Sequence, residues 1–364
     1  MQHITGHGRG RKKALRYPAR MDVGIVGLAG SGRTTVFRSL LAFVANGTAS
    51  TRQRGTPIGR ILVQDARLER LSELFQPRKT TPVEIAIHDL CPSLEPCFPT
   101  SEIEAMKRMD ALLLVVPAFA DAAPDALVAG LDRLVGELCL EDLASLERRL
   151  DRARKERIDE RITDALEAAR SALESELPVS AADLGTGQRN ALRGYALVTD
   201  RPLIALCNVA ESDAGCPLPE PLAKRASELG MSALGLCAAL EAEMAQLANE
   251  DRAAFLAEYG VHEPASGAVT RAVLEAADII PFFTVGEDEC RAWPIGRGTR
   301  AREAAGKVHS DIERGFIRAE VVSFEELAPH AGLLAEAKKT GVLRLEGKDY
   351  VVRDGDVVHF RFNV

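Results

Sequence analysis

Short apolar runs alternate with stretches of helical periodicity along the first two-thirds of the chain. Val23-Gly-Ile-Val26, Ile61-Leu-Val63, Val83-Glu-Ile-Ala-Ile87, Ala111-Leu-Leu-Leu-Val-Val116, Leu203-Ile-Ala-Leu-Cys207 and Ala233-Leu-Gly-Leu-Cys237 read as strands. Helical stretches lie between several of them. This alternation predicts an α/β fold with a mostly parallel sheet, whose ligands bind at the carboxyl ends of its strands. The rhythm breaks in the middle. Leu127, Leu131, Leu134 and Leu138, then Leu143, Leu146 and Leu150, then Ile158, Ile162, Leu166, Leu173 and Leu177 recur at helical spacing. Charged runs such as Glu147-Arg-Arg149 fill the gaps, so 126–195 is expected to form a helical, coiled-coil-like insertion. It serves either as a purely structural hairpin or as an arm that docks a large partner.

The pattern changes again toward the end. Gly341-Val-Leu-Arg-Leu345, Tyr350-Val-Val352 and Val357-Val-His-Phe-Arg-Phe362 read as strands, with turn signals at Gly347-Lys348 and Asp354-Gly355. Val358, Phe360 and Phe362 alternate with His359 and Arg361, which buries one face of a strand and leaves the other polar. The expected division is a basic, disordered extension at 1–20, a nucleotide-binding domain from 21–125 and 196–279, the insertion at 126–195, and a small β domain at 280–364.

Composition narrows the function. The 364 residues carry a net charge of −7, so the chain is no generic polyanion binder and any nucleic-acid contact requires a local basic patch. No run reaches the roughly 18 apolar residues of a membrane helix, and no membrane partner is expected. The seven cysteines are scattered without a Cys-x-x-Cys pair, which argues against a disulfide framework or zinc site and for a reducing cytoplasm. Residues 1–20 are polar and basic and lack the apolar core of a signal peptide. Met21 directly precedes the first strand, so translation is expected to be able to start there.

The strongest short motif is Gly27-Leu-Ala-Gly-Ser-Gly-Arg-Thr34, set between the first strand and the helical run Thr35–Leu41. This is the phosphate-binding loop pattern in its required context, with arginine in place of lysine. Its glycines let backbone N–H groups wrap an anion, and the helix start adds its positive dipole end. Gly27, Gly30, Ser31, Gly32, Arg33, Thr34 and Thr35 are therefore candidate phosphate contacts. Thr34 holds the position of the hydroxyl that binds Mg²⁺. The planar guanidinium of Arg33 does not enter an ammonium pocket by simple replacement, which predicts weakened phosphate binding.

The tail carries a longer resemblance. Phe282-Phe-Thr-Val-Gly286, Arg291-Ala-Trp293, Ala304-Ala-Gly306, His309-Ser-Asp311, Glu313-Arg-Gly-Phe-Ile-Arg-Ala-Glu320, Leu345-Glu-Gly-Lys-Asp-Tyr350, Asp354-Gly-Asp356 and His359–Val364 resemble the carboxyl-terminal TGS domain of the Obg-like ATPases, the YchF family. The likeness extends more weakly back to Met21. It implies a P-loop GTPase-like domain with a helical insertion, followed by a β-grasp (TGS) domain.

The resemblance also assigns residues. Asn208-Val-Ala-Glu211 matches the family's Asn-x-x-Glu base-reading motif, with Asn208, Val209 and Glu211 as candidate base contacts. Glutamate replaces the aspartate that tests for guanine in ordinary GTPases, which favours adenine. Cys237-Ala-Ala-Leu-Glu241 resembles the second base-contacting loop and nominates Ala238 and Ala239. Asp89 matches the family's Asp-x-x-Gly and would hold Mg²⁺ through water, with Thr34 as the direct ligand. The expected cofactor is Mg²⁺ with ATP, with GTP as the other candidate nucleotide. The glycine of that motif is Pro92 here, which has no N–H for a γ-phosphate, and the Gly-rich switch that follows is missing. No catalytic residue is identified. Two functions remain open: a nucleotide-binding, ribosome- or RNA-associated protein with weak or absent hydrolysis, or an active slow ATPase of the YchF kind. The partner surface is expected on the TGS domain and helical arm. Arg291, Arg297, Arg300, Arg302, Lys307, Arg314 and Arg318 supply its local positive charge. No DNA sequence specificity is expected.

Overall fold

The computed structural model describes residues 21–42, 51–53, 56–90, 98–119, 123–156, 159–244, 246–261, 263–330 and 334–363. The extension 1–20, Ile158 and the segment 91–97 with Pro92 lie outside the described residues. In chain order the strands are β1 (Met21–Gly27), β2 (Thr51–Gln53), β3 (Thr56–Leu62), β4 (Lys79–Thr81), β5 (Glu84–Asp89), β6 (Ala111–Ala118), β7 (Leu203–Val209), β8 (Ser232–Leu236), β9 (Ile279–Thr284), β10 (Glu289–Gly296), β11 (Phe316–Ser323), β12 (Arg344–Glu346) and β13 (Asp356–Phe362). The helices used below are α1 (Arg33–Leu41), α2 (Ala66–Phe75), α3 (Thr100–Met106), α4 (Pro124–Glu156), α5 (Glu160–Glu174), α6 (Thr186–Leu192), α7 (Glu220–Glu228), α8 (Ala238–Met244), α9 (Asn249–Glu258), α10 (Ala265–Ala276) and α11 (Ala301–Val308).

The chain divides into two compact units. One comprises the described residues of Arg20–Gln64 together with Glu84–Asp278. Its sheet has the order β2-β3-β5-β1-β6-β7-β8. β5, β1, β6, β7 and β8 run parallel, and β3 and β2 add antiparallel strands at one edge. The parallel strands read as continuous apolar runs because both faces are covered. Ala111 through Val116 of β6 are almost wholly buried, as are Val23, Ile25 and Val26 of β1. After β1 the chain first builds toward β3 and later toward β8. The strand order therefore reverses at β1, and the carboxyl end of that strand is where such a topology binds its ligands.

The insertion is a 33-residue helix, α4, followed by the 15-residue α5. Leu127, Leu131, Leu134, Leu138, Leu146 and Leu150 of α4 are buried with Leu166 and Leu173 of α5 in the same apolar cluster as β6 and β7. The periodic leucines thus form one wall of the first unit's core. Asp142 of α4 is 1% exposed and accepts hydrogen bonds from Val198 N (2.9 Å), Thr199 N (2.7 Å) and Thr199 Oγ1 (2.8 Å). Burial raises its pKa, and these donors pull it back. The carboxylate pins α4 to the segment that leads into β7.

The second unit contains Asp65–Val83 and the described residues of Ile279–Val364. Its sheet has the order β12-β11-β13-β9-β10-β4. Phe282, Trp293, Val321 and Phe360 meet Ala301, Ala304 and Ala305 of α11 in its core. The sequence-based division ran the nucleotide domain unbroken through 21–125, whereas α2 and β4 belong to this unit. β4 pairs in parallel with β10, placing Lys79 opposite Glu289 and Thr81 opposite Arg291. Asp65 caps α2 through Arg67 N at 2.9 Å, and Arg67 reaches Asp354 at 3.0 Å. The expected strand at Tyr350–Val352 is reduced to an isolated bridge between Val351 and Arg300.

Asp142→Ala would leave two backbone amides and a hydroxyl without their buried acceptor. It is expected to cost about 3 kcal/mol or more, read as a lower urea midpoint. Substitutions at the exposed Leu140 of the same helix should leave that midpoint nearly unchanged.

Candidate functional site

The phosphate loop leaves the centre of the seven-stranded sheet at Gly27 and enters α1 at Arg33. Gly30 and Gly32 both lie in the left-handed region, at φ 80° and 78°. Gly30 faces open space, so its backbone conformation alone explains the glycine. Gly32 is constrained twice, because a Cβ there would lie 2.3 Å from Asn208 Nδ2. The loop turns through Ser31 N to Leu28 O at 3.1 Å, and α1 starts with Val36 N to Gly32 O at 2.9 Å. First-turn amides of a helix have no intrahelical acceptor, so those of Arg33, Thr34 and Thr35 end the loop with donors suited to an anion. Ser31 is buried with its hydroxyl unpartnered, and Thr35 is exposed.

The parallel register sets Asp89 of β5 opposite Ile25 of β1, just below the loop. Asp89 is 1% exposed. Its Oδ1 accepts from Arg33 Nε at 2.7 Å and its Oδ2 from the Thr34 hydroxyl at 3.0 Å. Thr34 and Asp89, nominated separately in the sequence, are thus brought together, with Arg33 as a third member. The arginine side chain is 10% exposed, and its Nη1 is buried without a hydrogen-bond partner. In the usual loop the cation at this position faces phosphate; here its guanidinium is bonded to the carboxylate.

On the base side, Asn208 at the end of β7 is the organising residue. Its Oδ1 accepts from Ala238 N at 3.1 Å, and its Nδ2 lies 3.5 Å from Ser31 O. One buried side chain therefore ties the loop after β8 to the phosphate loop. Val209 packs beside Cys237 and Leu240. Glu211 opens a 3₁₀ turn and is exposed, as is Ala239, while Ala238 is buried. The acidic end of Asn-x-x-Glu thus remains open to solvent while its amide end is structural.

Two further residues belong to this region, Phe119, which the sequence reading does not name, and Glu241, which it names only as the end of the Cys237–Glu241 motif. Phe119, just past β6, is 42% exposed and lies against Gly32, with Cε1 3.4 Å from where a Cβ would stand. Its signal was the break from an apolar strand into a polar segment, too weak to identify it. Glu241 of α8 is 4% exposed and accepts from Ala265 N at 2.8 Å, at the start of α10. Its other carboxyl oxygen is buried without a partner, and burial pushes its pKa up to about 7.

The basic residues of the tail are partly engaged. Arg300 pairs with Asp349 at 2.6 Å, Arg314 pairs with Asp311, and Arg291 stacks over Trp293 at 4.0 Å. Arg302 donates to Glu313 O at 3.2 Å, whereas Arg318 is exposed on β11. Arg297 and Lys307 have interactions of their own. No helix among the described residues is long and apolar enough to cross a membrane.

Known proteins are similar to this chain over nearly its full length. Residues 279–363 match the family model YchF-GTPase_C, described as a protein of unknown function (DUF933). The ribosome-binding ATPase YchF of Bacillus subtilis is 34% identical over 94% of this chain and 100% of its own length. The chain belongs to the YchF family. The YchF of Escherichia coli O157:H7 is 32% identical over 94% of this chain and 99% of its own. Obg-like ATPase 1 of rice is 27% identical over 96% and 94%. The solved structure of the YchF GTPase of Schizosaccharomyces pombe superposes with a TM-score of 0.84, covering 96% of this chain and 100% of that one at 24% identity. This places the α/β fold on firm ground.

Glu241 yields a pH-dependent prediction. With its folded pKa raised to about 7 from an ordinary 4.5, the native state keeps a proton that the unfolded chain releases. Stability contributed by this proton is fully present below the ordinary pKa and is lost as pH rises through the folded one. Glu241→Gln should flatten that fall, by up to about 3 kcal/mol between the two limits, measured as urea midpoints across the pH range.

Proposed function

We propose that this chain is a YchF-like nucleotide-binding protein that prefers adenine to guanine, associates with ribosomes or RNA, and hydrolyses nucleotide weakly or not at all. The observation that carries the binding reading is Asn208, whose single side chain joins the phosphate loop to the loop after β8. A side chain that fixes these loops to each other gives a nucleotide a preformed cradle at the switch point of the sheet. The adenine preference rests on Glu211 in place of a guanine-testing aspartate. Its exposure leaves it accessible to a base, and its longer side chain displaces the acceptor that guanine needs.

Weak hydrolysis follows from the phosphate side. Arg33 is bonded to Asp89, and Pro92 removes an amide donor. Hydrolysis on a P-loop depends on donors aimed at developing charge, and losing one costs on the order of 10²–10³ in rate. The Thr34–Asp89 hydrogen bond supports a second reading, a slow ATPase of the YchF kind, because it keeps both magnesium ligands of that mechanism adjacent.

Ribosome or RNA association is drawn from the names of the relatives and from the positive charge of the last unit, which we read as a TGS domain. Arg318 and Arg291 are its candidate contacts, with the α4–α5 arm as a second surface. A cytoplasmic setting agrees with this partner.

Calorimetry with ATP, GTP and their diphosphates is expected to show ATP binding about tenfold or more tighter than GTP. Equal or reversed affinities would overturn the adenine reading. ATP turnover should be near background and rise in the double variant Arg33→Lys with Pro92→Gly. Turnover already brisk in the unaltered chain would favour the slow-ATPase reading. Cosedimentation with ribosomes should weaken with added salt and in an Arg291→Glu, Arg318→Glu variant.

A further inference from the structure

The donors around Asp89 suit a divalent ion on one side and oppose it on the other. Thr34 and Asp89, joined at 3.0 Å, are a fitting pair of ligands. The remaining Asp89 oxygen is bonded at 2.7 Å to a guanidinium that cannot lose its proton in a protein. A divalent ion drawn to this carboxylate would stand beside a fixed positive charge, in a place where only 1% of Asp89 is open to screening water. Among the described residues, no group of three or more His, Cys, Asp or Glu side chains gathers to outweigh that charge.

The same guanidinium still has donor capacity. Its Nη1 is buried and unpartnered in a side chain only 10% exposed, and buried polar nitrogens normally find an acceptor. It lies on the first residue of α1, where the left-handed Gly30 and Gly32 turn the loop and the first-turn amides await an anion. Lysine gathers its three donors on one nitrogen, a point charge that does not span two separated anions. Arginine offers a planar fork whose Nε serves one anion while another nitrogen serves a second.

We propose that the site binds its adenine nucleotide without a divalent cation, Arg33 neutralising Asp89 and supplying the positive charge to the phosphates. This rests on the nucleotide-binding reading above and adds to it the identity of the counter-charge. A lysine in place of Arg33 would release Asp89 and return the site to metal dependence.

The test is titration calorimetry of the full chain with ADP and with ATP, each in excess Mg²⁺ and in EDTA. The expected result is a dissociation constant that changes by less than about threefold between the two buffers. Weakening by about tenfold or more in EDTA overturns the proposal while leaving the nucleotide reading intact. No heat in either buffer overturns the nucleotide reading, and the proposal falls with it. In Arg33→Lys, checked for folding by circular dichroism, binding is expected to be about tenfold or more weaker in EDTA than in Mg²⁺. A folded Arg33→Lys chain that binds equally well in both buffers overturns the role assigned to Arg33. If this variant does not fold, the comparison on the unaltered chain decides alone.

Discussion

A carboxylate buried at the carboxyl end of a parallel strand has to be balanced, and the geometry of the phosphate side follows from how Asp89 meets that requirement. The pairing of β5 with β1 carries Asp89 beneath the loop and away from solvent. An ionised group in such a place is tolerated only with a paired charge and further hydrogen bonds. Arg33 supplies the charge and Thr34 the additional bond. A side chain of the loop itself thus balances the carboxylate from β5, so a one-residue exchange in the loop changes the electrostatics around Asp89.

The base side is held by a different force. Asn208 carries no charge, yet its two functional ends reach two loops and fix the distance between them. Gly32 is permitted no side chain partly because this amide occupies the space. The phosphate loop is therefore clamped from two directions, by an ion pair from β5 and by an amide from β7. The helical insertion is secured separately, through leucines packed against the core and through Asp142. Its attachment does not rely on either clamp.

The parts of this molecule that show in the sequence are those whose residues act through local pattern. The strands buried on both faces, β1, β6 and β7, stand out as unbroken apolar runs, and the leucines of α4 and α5 repeat at helical spacing. The phosphate loop is legible because its glycines are adjacent. β4 is not legible: Lys79-Thr-Thr81 is polar and largely exposed, and it becomes a strand only because β10 offers it a partner. For the same reason a division that follows the chain cannot group α2 and β4 with the last sheet. The same limit applies to the site. Arg33 and Asp89 could each be named, but 56 residues separate them, and no spacing rule shows that one would neutralise the other. Glu241 is equally hidden, since its significance lies in the burial of a carboxyl among apolar neighbours.

The excursion of residues 65–83 into the second sheet has a consequence for how the molecule comes into being. During synthesis β4 emerges long before β10, with the entire helical insertion and most of the rest of the first unit made in between. β4 must therefore wait for a partner strand that has not yet been made. Pairing of such high sequence separation is entropically slow and leaves a polar strand waiting at the surface. Its lysine and threonines keep that waiting edge from recruiting a wrong partner. The second sheet is thus completed by a strand made well before the rest of it.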